Sequence, residues 1–178
     1  MIDWNKYQQE ALTTAIYPLE RELDYTVLGL LSEVGELAEV FWDCYDQVDK
    51  WARMKGEGGD CFWYTAAVAD AIKVPLQDVW DRREVIVTYH FNDHILTKLT
   101  VVTGRIAGIV KKSIRDDGGV ISVERREQII GLLGEVLQLL VNLANQTGSS
   151  AAGYTQANLN KLSDRKSRGV LTGSGDHR

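Results

Sequence analysis

Two pairs of carboxylates stand out for their spacing. Glu33 and Glu36 lie three apart in "LLSEVGELAEVFWD", and Glu57 and Asp60 lie three apart in "KGEGGD". On a helix, side chains three apart are neighbours, so each pair sets two like charges side by side at a small energetic loss. The first pair flanks an apolar stripe, Leu30, Val34, Leu37 and Phe41, that repeats with the period of one buried helical face. Glu33 falls on the edge of that stripe, and Glu36 about 60° further round. A solvated flank explains such a pair trivially, whereas a shared cation gives it a chemical purpose. For Glu57 or Asp60 taken alone, capping is a competing reading, since a helix N-terminus favours a first-turn carboxylate. Packed face to face, two antiparallel helices would gather all four groups. So dense an anionic cluster is unfavourable unless cations neutralise it. Oxygen ligands suit hard divalent ions such as Mg²⁺, and a metal-bound water of lowered pKa is a nucleophile for hydrolysis.

The elements that must position these groups read as all-α, an antiparallel helical bundle with no alternating hairpin pattern. Periodicity predicts a short helix from Asp3 to Ile16, a turn at "YPLERELD" and a second helix over Leu23–Tyr45. "DQVDKWARMKGEGG" reads as a polar, glycine-punctuated connection. A third helix carries "DCFWYTAAVADAI" and opens on Glu57 and Asp60. Pro75 starts the next, which "LQDVWDRREVIVTYHF" continues. A fifth helix spans Ile95–Ser113 and ends in the loop "RDDGG". Ser122 N-caps a long helix to Gln146, and "YTQANLNKLSDRK" forms the last one before a glycine-rich tail.

The totals narrow the function classes. The 178 residues, 44% apolar and 25% charged, suffice for one domain or two small ones with a real core. A net charge of −5 argues against a partner that is a nucleic acid polymer. Two cysteines, Cys44 and Cys61, imply no disulfide framework, and together with the absence of a recognisable secretory leader they predict a cytoplasmic protein. The run "IIGLLGEVLQLLVNLA" is broken by Glu135, Gln138 and Asn142, which reads as a buried helix rather than a membrane span.

Self-similarity is visible at long range. "LLSEVGELAEVFWD" aligns with "LTVVTGRIAGIVKK" at an offset of 69, and "GDCFWYTAAVADA" with "GEVLQLLVNLANQ" at an offset of 75. Small residues coincide in both: Gly35 with Gly104, Ala38 with Ala107, Gly59 with Gly134 and Ala69 with Ala144. Matched small residues predict close helix approach in the same manner twice.

The segments "YQQEALTTAIYP", "LGLLSEVGELAE", "GGDCFWY", "KKSIRDDGG" and "ANLNKLSDRKSRGVLTGSGDHR" together resemble those of the MazG-like all-α NTP pyrophosphohydrolases, a superfamily related to the dimeric dUTPases. The resemblance covers most of the chain in a split form and implies a tandem pseudo-dimer. Residues 1–91 would be a first repeat with intact carboxylate motifs, and 92–178 a degenerate second repeat with a basic phosphate-binding tail. It implies Mg²⁺-dependent hydrolysis of a (deoxy)nucleoside triphosphate to monophosphate and pyrophosphate in nucleotide-pool control. Glu33, Glu36, Glu57 and Asp60 would hold the Mg²⁺, with Mn²⁺ able to substitute. In the second half these positions are Val102, Arg105, Leu132 and Glu135, so that metal site is lost. The family's paired lysines survive only as Lys111 and Lys112, where the first half has Trp42 and Asp43. The basic set Asn158, Lys161, Arg165 and Arg168 also occurs once. The resemblance thus implies that half one supplies metal and half two supplies phosphate-binding cations to a single site. It also implies a homodimer of the fused chain, a pseudo-tetramer, with no membrane partner.

Other residues admit weaker readings. Trp42, Trp51 and Trp63 could stack on a base, although core packing is the simpler role; their abundance leans toward a purine such as (d)GTP. Gln8 could hydrogen-bond a base or phosphate. His90 and His94 have a zinc-compatible spacing but no third ligand. A di-iron bundle needs Glu-x-x-His, and no glutamate stands three before His90, His94 or His177. The alternative that remains is a catalytically inactive helical nucleotide-binding or interaction module.

Overall fold

The structure is a computed structural model that describes residues 2–43, 47–85 and 92–172. Seven α-helices are found, and no strand occurs among the described residues. They are α1 (Trp4–Leu12), α2 (Glu22–Asp43), α3 (Gln47–Ala71), α4 (Leu76–Asp81), α5 (Asn92–Asp117), α6 (Val123–Gln146) and α7 (Ala151–Ser167). The all-α expectation holds.

Side chains at the helix ends explain most of the boundaries. Asp3 caps α1 by accepting from the Lys6 amide at 2.9 Å. The helix then stops at Leu12, short of Ile16, where the Thr13 and Thr14 hydroxyls each donate at 2.7 Å to a carbonyl three residues back. Ser122 caps α6 as the sequence predicts. Ser150 starts α7 three residues before Tyr154 by accepting from the Gly153 amide at 3.1 Å. α5 runs on to Asp117, four residues beyond Ser113, until Gly118 and Gly119 take positive φ and the Gly119 amide bonds back to Ser113 O at 3.0 Å.

Two sequence expectations are corrected. The stretch read as a polar connection is helix: α3 starts at Gln47 and passes without a break through Gly56, Gly58 and Gly59. A Cβ on Gly58 would stand 2.5 Å from Tyr154 Cε1, and one on Gly59 would stand 2.9 Å from Asn158 Cβ. These glycines therefore mark where α7 lies against α3, not a turn. Glu57 and Asp60 consequently sit in mid-helix, where the helix-dipole explanation for them fails. The second correction is α4, which ends at Asp81; Arg83–Val85 are not helical, and the rest of the predicted continuation, residues 86–91, lies outside the described residues together with His90 and the tail 173–178.

α2 pairs with α3, α5 pairs with α6, and the two pairs pack through α2 on α5 and α3 on α6. Buried positions recur at the sequence offsets: Val27, Leu30, Val34 and Leu37 match Leu96, Leu99, Thr103 and Ile106, while Met54, Cys61, Phe62 and Ala69 match Ile129, Val136, Leu137 and Ala144. Of the paired glycines, a Cβ on Gly134 would stand 3.0 Å from Arg83 Cβ and 3.3 Å from Val79 O, and one on Gly59 2.9 Å from Asn158 Cβ, so both mark close approach, though to α4 and its exit in one half and to α7 in the other. It does not hold at Gly35 and Gly104, which have nothing within 4 Å of a Cβ position. α6 is long and apolar enough to cross a membrane by length and composition, but most of it is buried among the other helices. It is the buried helix that the sequence suggests.

Candidate functional site

The α2–α3 hairpin sets the carboxylates. Val34 and Leu37 bury the stripe of α2 in the core, which leaves Glu33 half-buried at the stripe's edge and Glu36 exposed beyond it. From α3, Glu57 enters the same space and is only 7% exposed. Glu33, Glu36 and Glu57 each offer a carboxylate oxygen within 4.8 Å of the others. An apolar side chain would be the natural occupant of Glu57's place, since its counterpart at the offset of 75 is Leu132, buried like it. Val102 is likewise buried where the first half has Glu33.

Asp60 sits one turn along α3 and is held by α7. Asn158 Nδ2 donates to Asp60 Oδ1 at 2.6 Å, and Lys161 forms a salt bridge to Asp60 Oδ2. Asn158 is 2% exposed, and its remaining polar atom, Oδ1, is buried without a hydrogen-bond partner. Tyr7 of α1 is also buried, with its hydroxyl unpartnered. Arg165 lies one helical turn beyond Lys161 and is 4% exposed, while Arg168 pairs with Asp164 at 2.7 Å.

Burial and mutual repulsion dominate the electrostatics of the cluster. Burial, then the charges of Asp60, Glu36 and Glu57, push the Glu33 carboxyl up to about 8, against which Lys161 pulls only in part. Burial and the same carboxylates raise the Cys61 thiol. Burial, with Asp60 next, raises the Tyr7 phenol. A carboxylate raised first by burial and then by neighbouring carboxylates is a candidate for a functional site. The donors are all oxygen, close together and partly desolvated, and a buried acceptor stands beside them on Asn158. This set fits a hard divalent cation.

The other residues singled out in the sequence fall in different places. Asn158 and Lys161 join the carboxylates through Asp60. Lys111 and Lys112 are exposed at the end of α5. The groove that Lys112 lines, about 520 Å³, holds Arg105, Glu127 and Glu135 and none of the four first-half carboxylates. Gln8 is corrected: its Nε2 donates to Ala66 O and Val74 O, both at 3.2 Å, and its Oε1 accepts from the Leu76 amide at 2.9 Å. It is a strut that ties α1 to the α3–α4 connection. Trp63 is core, with Nε1 donating to Ala11 O at 2.9 Å, and Trp51 is half-buried. Trp42 departs from the packing role, being 65% exposed at the end of α2. Ser32, which sequence reasoning passed over, donates to Glu36 Oε1 at 3.2 Å and gave no signal beyond its i−4 position.

No protein-family model matches the chain, and no solved structure matches it. The chain is 49% identical over 75 residues to the Gene 37 protein of Mycobacterium phage L5, a stretch that makes up 42% of this chain and 66% of that relative's length.

Proposed function

We propose that this chain is a fused, internally duplicated MazG-like nucleoside triphosphate pyrophosphohydrolase that uses Mg²⁺. The observation that carries this reading is the trio Glu33, Glu36 and Glu57, with oxygens within 4.8 Å of one another and the Glu33 carboxyl pushed up to about 8 by burial and by the neighbouring carboxylates. A half-buried Glu33 beside an exposed Glu36 on one helix, with a buried Glu57 on its neighbour, sets like charges together in a way that is unfavourable for the fold alone. Val102 and Leu132 at the matching places of the second half are the apolar solution to the same packing problem. The repeated pattern of buried positions supports the pseudo-dimer, with residues 1–91 and 92–178 as its halves.

In this reading Glu33, Glu36, Glu57 and Asp60 form the ligand set. When bound there, a divalent cation supplies Lewis acidity to the triphosphate and lowers the pKa of water. The chain's own residues do the rest. Lys161 holds Asp60 in place and offers positive charge beside the acidic wall, and Arg165, one turn on, extends that charge along α7. Glu33, at the edge of the α2 stripe, would be held as a carboxylate by the cation it ligates. Hydrolysis between the α and β phosphates then gives a monophosphate and pyrophosphate. Lys111 and Lys112 enter the proposal only as distal phosphate contacts.

The test is pyrophosphate release from a panel of dNTPs and NTPs, with Mg²⁺, with Mn²⁺ and with EDTA. The proposal expects metal-dependent release from at least one nucleotide, a purine first, and its loss in Glu36→Gln with helical content unchanged. Silence across the panel from folded protein with metal present would overturn it in favour of an inactive nucleotide-binding module.

A further inference from the structure

Between α5 and α6 runs a groove of about 520 Å³, within the roughly 300–1,000 Å³ that small-molecule sites occupy. It corresponds in the second half to the carboxylate site of the first. At the offsets of 69 and 75, Arg105 stands for Glu36, Leu132 for Glu57 and Glu135 for Asp60, and all three line the groove. The hollow is kept while its charge is inverted. Along α2 the sequence is acidic at Glu36, Glu39 and Asp43, and along α5 the matching positions are Arg105, Gly108 and Lys112. Loss of a metal site alone asks only for neutral or apolar replacements. It does not ask for a change of sign at two positions and the removal of a side chain between them.

The two walls differ in character. On α5, Gly108 lies between Arg105 and Lys112 at a spacing that puts all three on one face. A Cβ at Gly108 would meet nothing within 4 Å, which leaves an open notch between two cations, one of which also lies near Asp116. Across on α6, Gly131 has nothing within 4 Å of a Cβ position, and Glu135, one turn on, is half-buried. Glycine weakens a helix interior relative to alanine, and no described group uses the space at either place. Among the described residues, neither Arg105 nor Glu135 has a hydrogen-bond or ion-pair partner, whereas Glu127 is tied to Arg82. Ile109 and Leu132 make an apolar floor between the walls.

These features select the ligand. Guanidinium and ammonium groups hold phosphate through charge-assisted hydrogen bonds, and a carboxylate accepts from the amino edge of a base. An apolar floor takes the face of a base or sugar. We infer that the α5–α6 groove is a second ligand site, which binds a nucleoside monophosphate without a metal ion. The phosphate sits over Gly108 between Arg105 and Lys112, the base lies on Ile109 and Leu132, and its amino edge meets Glu135. Guanine, with two adjacent N–H donors on one edge, suits a single carboxylate acceptor best. The site is separate from the four first-half carboxylates and does not require that they hydrolyse anything.

Isothermal titration calorimetry of the full chain with GMP in EDTA tests it, with guanosine and inorganic phosphate as partial ligands. One GMP per chain is expected, with a Kd below about 1 mM and binding at least about tenfold weaker for either partial ligand. Arg105→Glu, an exposed substitution with no intrachain ion pair to lose, should weaken GMP at least about tenfold. Gly131→Leu should abolish binding by filling the groove, yet melt no lower than the parent, because leucine favours a helix interior over glycine. Glu57→Leu, which breaks the first-half cluster, should bind GMP as the parent does. No binding by the folded chain, or phosphate bound as tightly as GMP, overturns the assignment. So does binding that is lost in Glu57→Leu or is indifferent to both groove substitutions. A failed pyrophosphate assay bears only on the carboxylate reading, since no readout here involves turnover.

Discussion

Glu57→Leu sets fold against function in one residue. Glu57 is 7% exposed, and the matching position of the second half is already leucine, Leu132 at 5%. The substitution removes one of the charges that raise Glu33 and puts at this position the residue type that the second half buries at its counterpart. Replacing buried charge by well-packed apolar groups is worth about 1–4 kcal/mol. Taking about 2 kcal/mol, and about 2–4 °C per kcal/mol for a chain of this size, the variant should melt about 4–8 °C above the parent in EDTA. Divalent cation should then reverse the ranking. At a hundredfold excess over Kd the parent gains about 2.7 kcal/mol, and the variant, with a broken ligand set, gains almost nothing. The assay is differential scanning calorimetry of both proteins at pH 8, with EDTA and with Mn²⁺. A variant that melts below the parent in EDTA, or that keeps the full metal-induced rise, would refute the reasoning.

Other outcomes follow from the same geometry. The folded-state Glu33 carboxyl titrates near 8 against 4.5 unperturbed, so between those values the folded chain holds a proton that the unfolded chain has released. Its contribution to stability is complete below pH 4.5 and is lost as pH rises toward 8; after solvent screening, metal-free protein should lose about 2–3 kcal/mol across that window, read by urea titration, and Glu33→Gln should flatten the slope. Lys161→Ala removes a cation that opposes the rise in Glu33, so the proton that NMR follows at Glu33 should titrate higher still. Gln8→Ala strands the Leu76 amide and two carbonyls, and chemical unfolding should show a loss of about 2–4 kcal/mol with metal binding retained.

How much was legible in the sequence depended on whether the cause was local. The pairing of Glu33 with Glu36, the Ser122 cap and the buried stripe of α2 are set by residues within two turns, and all were readable from spacing. Gly58 and Gly59 of "KGEGGD" were misread as punctuation because what they accommodate, Tyr154 and Asn158, lies about a hundred residues away. Helical glycine and loop glycine look alike until the partner is known. Gln8 was misassigned for a similar reason: the groups that need its amide, at Ala66, Val74 and Leu76, belong to a turn on another element. Asn158 and Lys161 were found by resemblance, yet only folding shows that both reach Asp60 from α7. Lys111 and Lys112 follow their motif in sequence but stand outside the residues that surround the carboxylates, because α5 faces outward where they sit.

The most direct test of the central claim, that the α2–α3 carboxylates hold a divalent cation, is a Mn²⁺ titration of the full chain at pH 8 followed by electron paramagnetic resonance. The account predicts that protein quenches the free Mn²⁺ signal at sub-millimolar concentrations, that Mg²⁺ restores it by competition, and that Glu57→Leu abolishes the quenching. An undiminished free-ion signal in the presence of excess folded protein would contradict it.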